Sequence, residues 1–283
     1  MSNIRTTRVP VGASSLHLVE AGDPDAPPFL FLHGWPESSR AWQPLMTVAA
    51  GRIRAIAVDL PGIGESAGVK TDGTTAQIAE VVHQVIEALE LRDLTLVGHD
   101  VGGMVVHSYL RRYRNLTRAV IMNVVIPGLG PWEEVLRNPY IWHFAFHSVR
   151  DLPERLVAGR QADYFAFFYD YLTTSRTAIP AAAREAYSCA YASEEALRAG
   201  FDWYRAFPRD AEANREGARV AVPLLYVRGE KEGGRIEDYV KGFTDSGVEY
   251  VSSRLIPGVG HFPHEEAPLE TWQALAEFAG IAL

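Results

Sequence analysis

Leu94-Thr95-Leu96-Val97-Gly98-His99-Asp100-Val101-Gly102-Gly103 is the stretch that decides the fold: a short apolar strand runs into a corner of small residues with a carboxylate at its tip. Gly98 and Gly102 stand two residues either side of Asp100, where a β-carbon would crowd a sharp turn from strand to helix. Such a turn lifts one side chain clear of a sheet. A carboxylate in that position attacks saturated carbon bearing a leaving oxygen or halogen and becomes an alkyl ester, which water must then hydrolyse. Gly-x-Asp-x-Gly is also ordinary turn composition, so support has to come from elsewhere in the chain.

Upstream, Pro28-Phe29-Leu30-Phe31-Leu32 is a continuous apolar run suited to a strand buried on both faces, and it ends in His33-Gly34-Trp35-Pro36. Downstream, Leu255-Ile256-Pro257-Gly258-Val259-Gly260 leads into His261 and then Phe262-Pro263-His264-Glu265-Glu266. In this order the three segments resemble the α/β-hydrolase family, and within it the branch of epoxide hydrolases and dehalogenases that carry Asp at the nucleophile elbow. The resemblance covers almost the whole chain. It implies an α/β-hydrolase fold, a mostly parallel central sheet flanked by helices with an inserted helical cap.

Composition agrees with a compact enzyme. The 283 residues, 47% hydrophobic and 22% charged, suffice for a large core, with no low-complexity tract and no sustained twenty-residue apolar stretch. Met1-Ser2-Asn3-Ile4-Arg5-Thr6-Thr7-Arg8 lacks a following apolar region, so no secretory signal is read and cytoplasmic residence is expected. Cys189 is the single cysteine, which excludes an internal disulfide. A net charge of -8 argues against nucleic acid as a partner. The one basic cluster, Arg111, Arg112 and Arg114, follows a predicted helix and is expected to face solvent near its negative end.

Apolar runs alternate with helical periodicity, the pattern of a sheet covered on both faces. Phe29–Leu32, Arg54–Asp59, Leu94–Gly98 and Ala119–Asn123 supply four strands before residue 125; Pro223–Gly229 and Val248–Ile256 follow after a long interval, with a closing helix from Pro268. Ile78, Val81, Val82, Val85 and Leu89 fall at helical spacing, with Thr74 or Thr75 as N-cap. Residues 127–218 carry helical stretches and many aromatics but no buried-strand run, so they are assigned to the cap, and 1–126 with 219–283 to the core.

By the same resemblance, two cap segments pair a histidine with a tyrosine. In Ile141-Trp142-His143-Phe144-Ala145-Phe146-His147 and Gly200-Phe201-Asp202-Trp203-Tyr204-Arg205, His143 and Tyr204 would hydrogen-bond an epoxide oxygen and stabilise the alkoxide as the ring opens. The plain alternatives are a satisfied core histidine and a packing aromatic. Trp142, Phe144, Trp203 and Tyr164 are the candidate pocket lining, Tyr164 lying in a run that also reads as a packed face. His261 would deprotonate the water that attacks the Asp100 ester. The amides of Trp35 and Val101 would hold the resulting oxyanion. The peptide before Pro36 is expected to be cis, as the family suggests, while Trp35 could wall the pocket or pack in the core.

His33 and His99 read as loop-bracing residues, and Asp59 as part of a Gly- and Pro-rich turn. A zinc site from His261, His264, Glu265 and Glu266 is disfavoured, since Pro263 breaks any helix that would align the two rings. No cofactor or metal is expected. The acid of the relay departs from the family pattern: the place after the sixth strand holds Asn123, an amide that can orient imidazole but cannot neutralise imidazolium. Arg228-Gly229-Glu230-Lys231-Glu232-Gly233 resembles the alternative position after the seventh strand, so Glu232 is assigned as the acid, ahead of Glu230, against a solvated charged turn.

The expected function is hydrolysis of an epoxide to a vicinal diol through an Asp100 alkyl ester. The partners would be a small apolar epoxide and water, with neither nucleic acid nor membrane, and a homodimer stays open. The runner-up is a hydrolytic dehalogenase; against it stand Val101 where haloalkane dehalogenases place Trp, and Val101, Met104 and Phe144 where fluoroacetate dehalogenases place two Arg and a Trp. A ligand-binding protein that kept the fold without turnover is the alternative from another class. An ester hydrolase would need Ser at position 100.

Overall fold

The structure is a computed structural model describing residues 4–283. Met1, Ser2 and Asn3, part of the stretch read as lacking a secretory signal, lie outside the described residues. Eight strands form one sheet: β1 Arg5–Val11, β2 Ser14–Ala21, β3 Pro28–Leu32, β4 Arg54–Val58, β5 Thr95–His99, β6 Arg118–Met122, β7 Leu224–Gly229 and β8 Val251–Ile256. Their order is β1-β2-β4-β3-β5-β6-β7-β8. β1 and β2 pair antiparallel, β2 also pairs antiparallel with β4, and every other neighbour is parallel.

Twelve α-helices among the described residues cover it: α1 Gln43–Val48, α2 Thr75–Ala88, α3 Val101–Arg112, α4 Trp132–Arg137, α5 Trp142–Ser148, α6 Leu152–Val157, α7 Gln161–Leu172, α8 Ala181–Ala190, α9 Glu194–Arg215, α10 Ile236–Asp245, α11 Pro263–Glu266 and α12 Pro268–Ala279. α4 to α9 all fall between β6 and β7, within the span read as helical from sequence.

The central strands read as unbroken apolar runs because both faces are buried. Leu30, Leu32, Ile56, Val58, Leu96 and Ile121 point to one core, which also holds residues of α2, α3 and the β6–β7 segment. Phe29, Phe31, Ala55, Ala57, Val97 and Val120 point to the other, shared with α1 and α12. The six strands expected from sequence are present; the β1–β2 hairpin is an addition. Val9, Val11, Leu16 and Leu18 are its buried alternating positions around Gly12 at φ +55°, a signal diluted by the exposed Arg5-Thr6-Thr7-Arg8. Thr74 caps α2, its hydroxyl accepting from the Gln77 amide at 3.3 Å.

Pro263 opens α11, where the first turn has no use for its missing N–H, so no helix carries both His261 and His264, as expected. One further expectation is corrected. Arg111 does not simply face solvent: its guanidinium donates to the carbonyls of Ala213 (2.8 Å), Asn214 (2.9 Å) and Glu216, closing the end of α9. Arg114 likewise holds the Arg219 carbonyl at 2.9 Å. Among the described residues no helix is long and apolar enough to cross a membrane.

Candidate active site

The corner after β5 is as tight as the glycine spacing implies. Asp100 has φ +49°, outside ordinary L-residue territory. A β-carbon on Gly98 would lie 2.2 Å from the Gly102 carbonyl oxygen, and one on Gly102 2.3 Å from that of Leu32. The strain is held by neighbours: the Asp100 amide donates to Met122 at 3.0 Å and α3 begins at Val101. β3 delivers the opposing loop, in which the Trp35–Pro36 peptide is cis and the Trp35 amide donates to Asp100 Oδ1 at 2.8 Å. Gly34 permits that approach, since a β-carbon there would fall 2.5 Å from Asp100 Cβ.

His261, on the loop after β8, places Nε2 3.9 Å from Asp100 Oδ2 and Nδ1 2.5 Å from Glu232 Oε1. Glu232 is anchored in turn. Its Oε2 accepts from Asn123 Nδ2 at 2.5 Å and lies 3.2 Å from Arg228 Nη1. Burial alone would raise the Glu232 carboxyl; the Arg228 guanidinium, His261 and Asn123 outweigh it and bring it down to about 2. Arg228 is itself buried, 4.2 Å over the Tyr239 ring and donating to Tyr226 Oη at 3.0 Å.

Asn123, at φ +46°, touches Glu232 and the Gly260 carbonyl (3.2 Å), so it orients the acid and not the imidazole. Glu230 turns away, accepting from the Gly258 amide at 2.9 Å.

His143 from α5 and Tyr204 from α9 face this array across a cavity of about 460 Å³. Their rings lie 5.8 Å apart, and Trp35 stacks on His143 at 6.1 Å. Burial, with a smaller push from His261, brings His143 down to about 3, while burial holds the Tyr204 phenol well above its ordinary value. Among the described residues His143 Nδ1 is buried without a hydrogen-bond partner, and the raised Tyr204 phenol owes its shift to burial and to nearby Asp100, Tyr164 and Tyr191, with no hydrogen bond contributing.

Of the four expected lining residues, Phe144 is on the cavity wall. Trp142 is 43% exposed and borders an outer groove. Trp203 is buried 6.3 Å from the His33 ring, beneath the cavity. Tyr164 stands behind it, bonded to His147 Nε2 at 2.7 Å. Sequence reasoning missed the wall residues Val124, Val125, Phe168 and Leu172, whose apolar character does not distinguish wall from core. It also assigned nothing to His147, one helical turn from His143, whose ring lies 4.4 Å from that of Tyr204.

The histidines set aside as braces do brace. His33 Nδ1 contacts the Gly34 carbonyl at 2.8 Å and its Nε2 accepts from the Leu60 amide at 3.0 Å. His99 lies between Glu37 (2.9 Å) and the His261 carbonyl (2.8 Å). His264, Glu265 and Glu266 do not converge with His261: they go to Glu37, to Tyr187 and to the amides of Gly260 and Phe262.

Residues 27–268 match the alpha/beta hydrolase fold family. The chain belongs to that family. The soluble epoxide hydrolase of Corynebacterium sp. (strain C12) is 27% identical to this α/β hydrolase over 263 residues, 89% of each chain. A haloalkane dehalogenase of Mesorhizobium japonicum is 31% identical over 136 residues, 48% of this chain and 43% of that one. The crystal structure of Cfl2 from Burkholderia cenocepacia superposes with a TM-score of 0.88 at 29% identity, covering 97% of this chain and 95% of that one.

Proposed function

We propose that this α/β hydrolase opens an epoxide to a vicinal diol in two steps, with residues 127–218 acting as a cap over a core of 1–126 and 219–283. The observation that carries the reading is a pair of unlike polar sets facing each other across one cavity: an ionisable carboxylate with a supported imidazole below, and two donors without partners of their own above. An epoxide needs both at once, a nucleophile on carbon and donors on the departing oxygen.

In the first step Asp100 Oδ2 attacks a ring carbon while the carbon–oxygen bond breaks. Oδ1 stays on the Trp35 amide. The alkoxide takes a proton from Tyr204, whose burial keeps it protonated until then, and His143, neutral because burial disfavours its charge, shares the oxygen. In the second step His261 Nε2 takes a proton from water, which attacks Asp100 Cγ. Oδ1 becomes the oxyanion, held by the amides of Trp35 and Val101; its collapse breaks the Cγ–Oδ2 bond, the departing oxygen takes the proton from His261 Nε2, the diol leaves with that oxygen, and the second proton of the water restores Tyr204 through solvent. Glu232 carries the negative charge that stabilises the imidazolium, a role Asn123 could not fill. The wall residues Val124, Val125, Phe144 and Phe168 suit a small apolar epoxide.

The test is intact-protein mass spectrometry of wild type and His261→Gln with a panel of epoxides and haloacids. An adduct on Asp100 in the variant and diol from wild type are expected, with solvent oxygen entering Asp100 before it enters product. Halide release without diol would move the assignment to dehalogenation, and neither adduct nor product to ligand binding.

A further inference from the structure

Behind the reacting groups lies a buried cluster that the two steps above do not use. Glu37, His99 and His264 are each 0% exposed, and the atoms they turn to one another lie within 4.8 Å. Glu37 Oε2 meets the Gly34 amide (2.9 Å) and His99 Nδ1 (2.9 Å), and Oε1 meets His264 Nε2 (2.9 Å). Three nitrogens converge on one carboxyl group, the pattern that favours its ionised form. His99 differs from His264 in its second nitrogen. His99 Nε2 faces the His261 carbonyl at 2.8 Å, a group that can only accept; His264 Nδ1 is buried with no partner among the described residues.

We propose that His99 is a permanent imidazolium, paired inside the fold with ionised Glu37, and that it is a positioning residue for His261. An imidazole with acceptors at both nitrogens satisfies both only when both carry protons. His264, with one acceptor, remains neutral, which leaves Glu37 and His99 as a balanced pair. Although burial disfavours its charge, Glu37 holds His99 above the ordinary histidine value. His99 and His264 together pull Glu37 below the usual carboxylate range against its own burial.

His99 is the last residue of β5, directly before Asp100, so the nucleophile and the strut that grips the His261 backbone are neighbours on one strand end. Its ring lies 4.9 Å from the His261 ring. The groups facing His261 are then Glu232 at Nδ1, Asp100 at Nε2, neutral His143 across the cavity, and this fixed cation. Those facing His99 are Glu37, Asp100, the rings of His261, His264 and Phe262, and the more distant His33. His99 on its backbone carbonyl and Glu232 on its Nδ1 hold His261 at two points, which keeps Nε2 directed at Asp100. This consequence rests on the reading of His261 as base; the protonation state of His99 does not.

The decisive measurement is ¹⁵N NMR of histidine-labelled full-length protein at about pH 8.5, some two units above the ordinary imidazole value of about 6.5. Two protonated ring nitrogens are expected for one histidine, absent from the spectrum of His99→Gln. A single protonated nitrogen there would overturn the proposal, as would stoichiometric zinc in the purified protein, because a metal would then replace the protons. If His99→Gln does not fold, the same spectrum of Glu37→Gln serves: loss of the doubly protonated signal supports the pair, and its persistence overturns it. In kinetics, His99→Gln should form the Asp100 adduct at a rate within about threefold of wild type but release diol about tenfold more slowly. Equal slowing of both steps, or of neither, would overturn the positioning role. Absence of any adduct or diol from wild type would instead count against epoxide hydrolysis, leaving the NMR result standing.

Discussion

The floor and the roof of the cavity are built on opposite principles. On the floor, the charged groups are tied down before any ligand arrives: Asp100 by the Trp35 amide, His261 by Glu232, and Glu232 by Asn123 and Arg228. On the roof, among the described residues, His143 Nδ1 has no partner and no hydrogen bond contributes to the raised Tyr204 phenol, in surroundings that are mostly aromatic. The floor comes from strand ends of a sheet buried on both faces, and each of its charged groups is held by a named partner. The roof comes from α5 and α9, whose helices carry their own hydrogen bonds and leave side chains to be placed by packing alone. An unpaired buried polar group is costly, and an oxygen bound between His143 and Tyr204 would recover that cost.

The largest effect that would break this contrast belongs to the floor. Asp100→Asn should abolish adduct formation and lower diol production by at least about 10³-fold, as expected when a nucleophile in a cooperating set is removed. Turnover persisting near the wild-type level would remove the carboxylate from the chemistry. Tyr204→Phe should lower the rate of adduct formation in single-turnover experiments by about 10²-fold, the scale of one lost donor to a developing oxyanion, while leaving the thermal midpoint unchanged or raised. A clear drop in that midpoint would mean that the phenol is structural and that the roof is not waiting for a ligand.

The third prediction concerns stability. Arg228→Met leaves Glu232 without its cation and should cost about 3 kcal/mol in urea unfolding at neutral pH. Because the Glu232 carboxyl is depressed from 4.5 to about 2 in the folded state, the stability it contributes is fully present above about pH 4.5 and is lost as pH falls towards 2. The difference between wild type and Glu232→Gln should therefore shrink over that window and be flat above it. The smallest effect is expected at Glu230, exposed and turned outward: Glu230→Gln should leave the urea midpoint and the rates of adduct formation and diol release at wild-type values. A large loss there would relocate the acid.

Legibility from sequence follows the same divide. Floor residues are marked by backbone demands that few residue types meet. Gly98 and Gly102 flank a corner with no room for β-carbons, and Gly34 lets a loop approach Asp100 within van der Waals distance. Such constraints are local, so they are written in consecutive residues. Roof residues carry no such mark. Trp142, Phe144, Trp203 and Tyr164 are alike in composition, yet one lines the cavity, one is at the surface, one lies beneath and one stands behind. Helix rotation decides among them, and a turn of 100° per residue cannot be read from aromatic content.

Asn123 and Glu232 show the limit from the other side: the sequence offered both for one role, and only the meeting of the ends of β6 and β7 allots the amide to the carboxylate and the carboxylate to His261. What the chain alone determined was the elbow, the apolar strands around it and the order of its three motifs, because steric exclusion and burial on both faces act over a few neighbouring residues. What tertiary structure alone decided was the company each polar group keeps. Glu37 meets a histidine 227 positions away in the chain, and a contact of that separation is set by the packing of whole elements.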